Sequence, residues 1–179
     1  MALELGDNYF ELFELAQRFD VDIDVLTGRY RELQRALHPD KFASSTDQER
    51  RLSVQMTARV NDAYQTLKDP RNRAKYLLTL HGLGDQLQQV TVRDLEFLDE
   101  QMTLRESLAE IREASDPHHR LTEFLVALQA REKRYIDAFR QCFDVADEAS
   151  MAGALDAALK MQFVRRLQQE AEALEEELY

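Results

Sequence analysis

The sequence predicts an all-α protein, in which a helical hairpin with two short flanking helices is followed by a three-helix bundle. Apolar residues recur at helical intervals along most of the chain, and no alternating strand pattern competes with them. Only 5 glycines and 3 prolines interrupt the 179 residues. Gly82 and Gly84 suit a helix end and a turn. The predicted division is therefore 1–82, a short connector 83–90, and 91–179.

Four helices are expected in the first part. The first spans Asn8 to Ala16, the second begins near Asp22 or Asp24, and the third runs from about Asp47 to Leu67. Asp69-Pro70 supplies an N-cap and a first helical position for the fourth. The core residues of helices two and three are predicted to be Leu26, Tyr30, Leu33, Leu37, Leu52, Met56, Val60, Ala63 and Leu67. These two helices have comparable lengths, so we expect them to pair as an antiparallel hairpin.

Three longer helices are expected in the second part. The first runs from a Thr91 cap to about Ser115, the second starts at Asp116-Pro117, and Asp147 caps the third. Their predicted core stripes comprise Leu95, Leu98, Met102, Leu108, Ile111, Leu121, Leu125, Leu128, Tyr135, Phe139, Cys142, Met151, Leu155, Ala158, Leu167, Leu174 and Leu178. Short connections between the three helices favour an antiparallel bundle.

The charge distribution argues against general nucleic-acid binding. The net charge is −11, and residues 83–179 hold 11 basic and 21 acidic residues, whereas residues 1–82 hold 12 and 13. An acidic chain repels phosphate backbones. The N-terminal segment 1–7 contains two acidic residues and lacks the features of a secretory signal or a transit peptide.

Enzyme and metal-site patterns are not found in the sequence. It contains no Gly-rich phosphate loop, no nucleophile elbow and no metal-ligand spacing, so we expect no catalytic residue and no cofactor. Cys142 is the single cysteine, which excludes an intrachain disulfide, and it is expected in the core. His118 and His119 are neighbours on a predicted helix and point in different directions, which disfavours a metal site.

The tripeptide His38-Pro39-Asp40 lies at the expected tip of the hairpin. It can be a simple helix stop, because proline disfavours helical geometry at the preceding residue. Arg31 and Arg35 lie on the outward side of helix two, with Arg29 close by, and Lys41 extends the positive charge into the loop. These charged residues can also form an ordinary solvent-exposed helix face that binds no partner. In an otherwise acidic chain, their position next to the loop favours a docking surface for an acidic partner.

These segments together resemble a J-domain. The resemblance rests on Tyr9-Phe10, the basic helix two, His38 to Phe42, Val60 to Pro70 and Arg73 to Tyr76, and covers roughly residues 6–82. It implies docking on an ATPase chaperone of the DnaK class and stimulation of its ATP hydrolysis. The chaperone-binding residues would then be Arg29, Arg31, Arg35, His38, Pro39, Asp40 and Lys41.

The rest of the chain resembles the HscB family of iron–sulfur cluster co-chaperones. The segments Tyr76 to Gly82, Thr91 to Asp94, Phe97 to Met102 and Leu104 to Glu106 carry this resemblance. It implies that the C-terminal domain binds the cluster scaffold IscU and delivers it to the chaperone HscA. The bacterial cytoplasmic branch is the better fit, since no four-cysteine extension precedes the J-domain.

Carried over by position, the scaffold-binding residues would be Leu98, Met102, Glu106 and Phe163. Spacing alone favours bundle core for the three apolar ones, whereas the resemblance implies an exposed apolar patch with an acidic edge. Asp99 and Thr103 depart from the pattern of the bacterial family and put contacts at those positions in doubt. The alternative function is a general J-domain chaperone that presents unfolded clients to a DnaK-type ATPase.

Overall fold

The computed structural model describes residues 8–38, 41, 46–89, 94–145 and 147–178, and its regular secondary structure there is entirely helical. The predicted all-α class is confirmed. The chain divides into two compact units, the first ending at Leu77 and the second beginning at Leu78. This division falls a few residues before the boundary predicted at residue 82. None of the helices in the described ranges is long and apolar enough to cross a membrane.

Helix α1 comprises only Tyr9–Leu12 and is shorter than predicted. The expectation that it continues to Ala16 is wrong, because Glu14 adopts a left-handed conformation with φ 52°. The turn is closed by Leu15, whose N–H donates to the carbonyl oxygen of Phe10 at 2.8 Å. This is a helix C-terminal motif in which glycine usually occupies the left-handed position.

The hairpin consists of α2, Ile23–Ala36, and α3, Asp47–Lys68. Asp22 caps α2 by accepting the backbone N–H groups of residues 24 and 25, so the predicted start is confirmed. At the start of α3, Thr46 and Glu49 form a reciprocal capping box. The backbone hydrogen bond that Glu49 accepts from Thr46 lowers the pKa of its carboxyl group.

The predicted core of the hairpin is largely confirmed, but Tyr30 and Leu33 are only partly buried and one predicted core residue is exposed. Leu52 is 54% exposed, so its assignment to the core is wrong. Ser53 takes the inward position, because the core-facing side of α3 lies one residue further along at this end of the helix. The residues that are buried as predicted are Leu26, Leu37, Met56, Val60, Ala63 and Leu67. Tyr30 and Tyr64 stack between the helices with ring centroids 4.0 Å apart.

Helix α4, Pro70–Leu80, begins as predicted. Asp69 Oδ1 accepts the backbone N–H groups of Arg71 and Asn72 at 2.8 and 3.1 Å. Tyr76 stacks on Tyr9, and its hydroxyl accepts the Tyr9 backbone N–H at 2.9 Å. These contacts attach α4 to α1.

The second unit contains α5, Gln86–Gln89, and the longer helices α6, Leu95–Glu110, α7, Pro117–Val145, and α8, Glu148–Leu178. A single 3₁₀ turn, Ile111–Glu113, follows α6. Asp116 and Asp147 cap α7 and α8 as predicted, by accepting backbone N–H groups three residues ahead. The predicted Thr91 cap lies outside the described residues, and α6 is capped by Asp94 instead.

One core runs through α6, α7 and α8. Its buried residues are Phe97, Leu104, Leu108, Ile111, Leu121, Phe124, Leu128, Phe163, Val164, Leu167, Ala171 and Leu174. The core positions that periodicity predicted for Leu95, Leu98 and Met102 are wrong, since these side chains are 79, 39 and 63% exposed. Cys142 is only partly buried and lies against Gly153, where α7 and α8 approach closely.

Candidate partner-binding surfaces

The first candidate surface lies at the C-terminal end of α2, where a shallow cleft of about 340 Å³ opens. Its lining comprises Arg31, Gln34, Arg35, Leu37, His38 and Thr57. We call the exposed residues Arg31, Gln34, Arg35 and His38 the basic face. Thus the structure brings together three of the predicted chaperone-binding residues, on the side of α2 away from the core.

Hydrogen bonds to α3 hold the end of α2 in place. Ser53 Oγ is buried and donates to the carbonyl oxygen of Leu37 at 3.0 Å. Beyond it, the backbone N–H of Lys41 donates to the carbonyl oxygen of His38 at 3.0 Å. His38 therefore follows a residue anchored in the core. Pro39 and Asp40 lie outside the described residues, and their predicted role stays a prediction.

Side chains on α3 fix the rotation of α2 as well. The Tyr30 hydroxyl donates to Asn61 Oδ1 at 3.0 Å, and Gln34 Nε2 donates to the Tyr30 hydroxyl oxygen. Thr27 and Tyr64 share a hydrogen bond of 3.2 Å between their hydroxyl oxygens. Several residues that carry the J-domain resemblance thus act inside the hairpin, where they orient the basic face.

Arg31 and Arg35 supply the positive charge of the basic face. Among the described residues, no carboxylate lies within ion-pair distance of either guanidinium group. Both side chains are exposed and are separated by four residues, so they lie one helical turn apart. Together they present two guanidinium groups, each of which can donate two parallel hydrogen bonds to a carboxylate.

Arg29 does not lie on the basic face. Two residues before Arg31, it points about 200° away around the helix axis. Its guanidinium pairs with Glu14, and both residues line a separate cleft together with Phe13 and Leu33. The predicted grouping of Arg29 with Arg31 and Arg35 is therefore not what the structure has, and its role in chaperone binding stays a prediction.

The second candidate surface is the outward side of α6. Leu95, Leu98 and Met102 are 79, 39 and 63% exposed and follow one another at three and four residues, so they share one face. We call these three residues the apolar patch. Phe97 and Leu104 lie on the opposite side of the helix and are buried in the bundle. Helix α6 is thus apolar on two sides, of which one faces solvent.

An acidic edge accompanies the apolar patch. Asp99 and Glu106 are exposed at helical positions adjacent to Leu98 and Met102, and Thr103 is exposed beside them. Of the predicted scaffold-binding residues, Leu98, Met102 and Glu106 are therefore brought to one exposed face.

Phe163 is not part of the exposed patch. It is only 8% exposed, and the expectation that it is exposed with Leu98 and Met102 is wrong. Its ring packs edge-to-face on Phe97 with centroids 5.5 Å apart, and the Arg105 guanidinium lies 5.9 Å above it. Phe163 lies on α8 and packs against the inner side of α6, opposite the apolar patch.

Ion pairs fix the N-terminal end of α6. Asp94 Oδ1 accepts the backbone N–H of Phe97 at 3.1 Å, and Lys160 Nζ lies 2.8 Å from Asp94 Oδ2 and 2.9 Å from Asp156 Oδ2. The hydrogen bond from Lys160 lowers the pKa of the Asp94 carboxyl group. Burial opposes the charge on Lys160, but its two carboxylate partners outweigh burial and raise its pKa.

The middle of α6 is tied to α7 through Glu100. Arg131 Nε donates to Glu100 Oε1 at 2.8 Å, and the Tyr135 hydroxyl donates to Oε2 at 2.9 Å. Burial, followed by the hydrogen bond to Glu100, raises the pKa of Tyr135 to about 12. Burial would raise the pKa of Glu100, but the hydrogen bonds from Arg131 and Tyr135 outweigh it and hold that pKa below its usual value.

Within the described ranges, no group of three or more His, Cys, Asp or Glu side chains is placed to hold a metal ion. His119 Nε2 lies 3.4 Å from a carboxylate oxygen of Glu123 on the same helix.

Comparisons with known proteins agree with the division of the chain into two units. Residues 8–76 match the model of the DnaJ domain, and residues 93–172 match that of the HSCB C-terminal oligomerisation domain. A co-chaperone protein HscB homolog from Shewanella halifaxensis is 43% identical over 172 residues, which span 96% of this chain and 99% of that protein. The chain belongs to the HscB family of co-chaperones.

Solved structures of HscB proteins share the fold. The chaperone HscB from Vibrio cholerae has a TM-score of 0.81 at 37% identity, covering 96% of this chain and 99% of that one. Human co-chaperone protein HscB also has a TM-score of 0.81, at 29% identity and over 96% and 84% of the two chains. The predicted J-domain and membership of the HscB family are confirmed. Together they imply a DnaK-class chaperone as a partner.

Proposed function

We propose that this HscB-family co-chaperone is an adaptor in iron–sulfur protein maturation. Its J-domain stimulates ATP hydrolysis by the DnaK-class chaperone HscA, and its C-terminal domain binds and delivers the scaffold IscU. The observation that carries the proposal is the two-sided apolar character of α6, which leaves Leu98 and Met102 in solvent beside Glu106. A helix that needed only to complete a bundle would be apolar on one side.

The basic face supports the chaperone-binding half of the proposal. Arg31 and Arg35 speed and orient the encounter with an acidic surface, because complementary charge acts mainly on association. His38 follows the anchored Leu37 and is therefore presented to the partner in a defined position. In this proposal, Pro39 stiffens the loop and Asp40 pairs with an arginine of HscA. Binding preferentially to the hydrolysis-competent conformation shifts the population of HscA toward it, so the J-domain needs no catalytic group of its own.

The apolar patch supports the scaffold-binding half. Leu98 and Met102 supply apolar area that is removed from water in a complex, and Glu106 on the acidic edge selects a basic surface. The patch is carried by a helix that is fixed at its start by Lys160 and in its middle by Arg131. IscU therefore meets a rigid surface, which lowers the entropy lost on binding.

The chaperone-binding half is tested by ATPase measurements with HscA. We expect His38→Gln to abolish stimulation while leaving IscU binding intact. Arg35→Ala should raise the concentration needed for half-maximal stimulation, and Arg29→Ala is its matched comparison because Arg29 lies off the basic face. Full stimulation by His38→Gln would overturn the mechanism, and equal effects of the two arginine variants would restore Arg29 to the binding surface.

The scaffold-binding half is tested by titration with IscU. Leu98→Ala combined with Met102→Ala should weaken binding while the bundle stays folded with a modestly lowered melting temperature. Val126→Ala, which shortens an exposed valine on α7, should leave binding unchanged. The same variants are titrated with an unfolded model protein. Comparable affinity for that protein and for folded IscU would favour a general chaperone over an adaptor.

A further inference from the structure

We propose that Leu95 is a further contact residue of the scaffold-binding surface. The surface extended in this way fits a partner with an apolar centre and a basic edge. This inference rests on the proposed function, in which that partner is the scaffold protein. It extends the contact surface one helical turn toward the start of α6, beyond the positions expected from the family resemblance.

Leu95 is the most exposed large hydrophobic side chain in the described part of the chain. A single exposed leucine needs no explanation, but Leu95 precedes Leu98 by three residues and Met102 by seven. At a rise of 1.5 Å per residue, the three form a continuous apolar stripe about 10 Å long. A stripe of this kind marks a contact surface more strongly than scattered residues do.

The backbone at Leu95 is fixed before any partner arrives. Asp94 caps the helix immediately before it, and Lys160 on α8 holds the Asp94 carboxylate at 2.8 Å. Two residues later, Phe97 is buried and lies 5.1 Å from the same ammonium group. First-turn residues often fray, but here both neighbours are held by the bundle. Leu95 can therefore bind with little loss of conformational entropy.

The charges beside the patch decide between possible occupants. Three exposed acidic residues, Glu96, Asp99 and Glu106, flank the stripe on α6, against one exposed basic residue, Arg105, so the border is acidic on balance. A second copy of the chain in a two-fold contact would bring the same acidic residues against each other, and like charges at an interface disfavour association. A partner with a basic edge neutralises them instead. The occupant that fits is therefore a different protein whose apolar surface is bordered by Lys or Arg.

The test is calorimetric titration of IscU into the full-length chain and its Leu95→Ala variant, with Val126→Ala as the matched exposed control. Leu95 is 79% exposed, so most of its apolar surface is removed from water only when a partner binds. Leu95→Ala should therefore lower the affinity for IscU on the order of 10-fold. Val126→Ala should stay within about 2-fold. The loss at Leu95 should be independent of salt, because an apolar contact is not screened. A second variant, Leu95→Lys, should weaken binding further.

The outcomes separate this inference from the function on which it rests. Unchanged affinity for Leu95→Ala, with weakened binding by the Leu98→Ala and Met102→Ala pair, would overturn the role of Leu95 alone. Failure of the unsubstituted chain to bind IscU would overturn both. Sedimentation supplies the remaining arm: if Leu95→Ala converts a dimer to a monomer and leaves IscU affinity unchanged, the stripe is covered by a second copy and the inference is wrong.

Discussion

Replacing Phe163 with alanine tests directly which side of α6 is core and which is surface. The ring is 8% exposed and packs edge-to-face on Phe97. Removing a buried phenylalanine side chain costs about 3–5 kcal/mol in free energy of unfolding. The matched comparison is Met102, which lies on the outward side of α6, away from Phe163. It is 63% exposed, so only a little over a third of it contributes, which amounts to about 0.5–1 kcal/mol.

The assay is urea unfolding of the full chain followed by far-ultraviolet circular dichroism. With a denaturant slope of about 1.5–2 kcal/mol/M, Phe163→Ala should lower the midpoint of the transition of the second unit by about 2 M, and Met102→Ala by less than about 0.7 M. Phe163→Leu keeps an apolar side chain in the core and should cost about 1–1.5 kcal/mol. That milder variant allows scaffold binding to be measured on a folded protein.

Equal midpoints for Phe163→Ala and Met102→Ala would refute the assignment of the two faces. A folded Phe163→Leu variant that still binds IscU would show that Phe163 supports the patch without contacting the partner. Loss of IscU binding by this variant, with its melting curve retained, would instead make Phe163 a contact residue.

Three further predictions concern the structure around these surfaces. Tyr135 should ionise near its pKa of about 12, seen by ultraviolet absorption in a chain without tryptophan, and Glu100→Gln should move that step toward pH 10. Because the folded-state pKa is raised, the stability contributed by Tyr135 is fully present below about pH 10 and is lost as the pH rises through about 12. Gly153→Ala places a Cβ 2.8 Å from Cys142 Sγ, and this clash should lower the free energy of unfolding by about 1 kcal/mol. In a Cys142→Ala background the clash is absent, so Gly153→Ala should raise the free energy of unfolding by up to about 1 kcal/mol. Asp69→Ala removes the N-cap of α4 and should lower the melting temperature, at a cost of about 1 kcal/mol.

The features that were predictable from sequence are those governed by local chemistry. Asp22, Asp69, Asp116 and Asp147 cap helices where they were expected to, since an N-cap depends on a side chain and the next few backbone N–H groups. The pairing of the two hairpin helices likewise followed from their lengths and the loop between them.

The faces of α6 were not predictable from periodicity. Leu95, Leu98 and Met102 recur at helical intervals just as Leu104 and Leu108 do, and a helix that is apolar on two sides does not reveal which side is buried. The family resemblance predicted exposed side chains, correctly for Leu98 and Met102 and incorrectly for Phe163. Its burial depends on the packing of α8 beneath α6, which no local pattern records.

Long-range contacts account for most of what the sequence did not reveal. The pairing of Glu100 with Tyr135 joins residues 35 apart, and that of Lys160 with Asp94 joins residues 66 apart. The short α1 has a local cause, the left-handed Glu14, but glutamate carries little signal for that conformation. The ion pair between Arg29 and Glu14 likewise joins α2 to the turn that follows α1.

The most direct measurement is the steady-state ATPase rate of HscA with this chain, in the presence and absence of IscU. The adaptor function predicts that the two together stimulate hydrolysis more than the sum of their separate effects. The Leu98→Ala and Met102→Ala pair should lose this synergy and keep the stimulation by the chain alone, whereas His38→Gln should lose both. Purely additive stimulation, or synergy that survives the Leu98→Ala and Met102→Ala pair, would contradict the adaptor function.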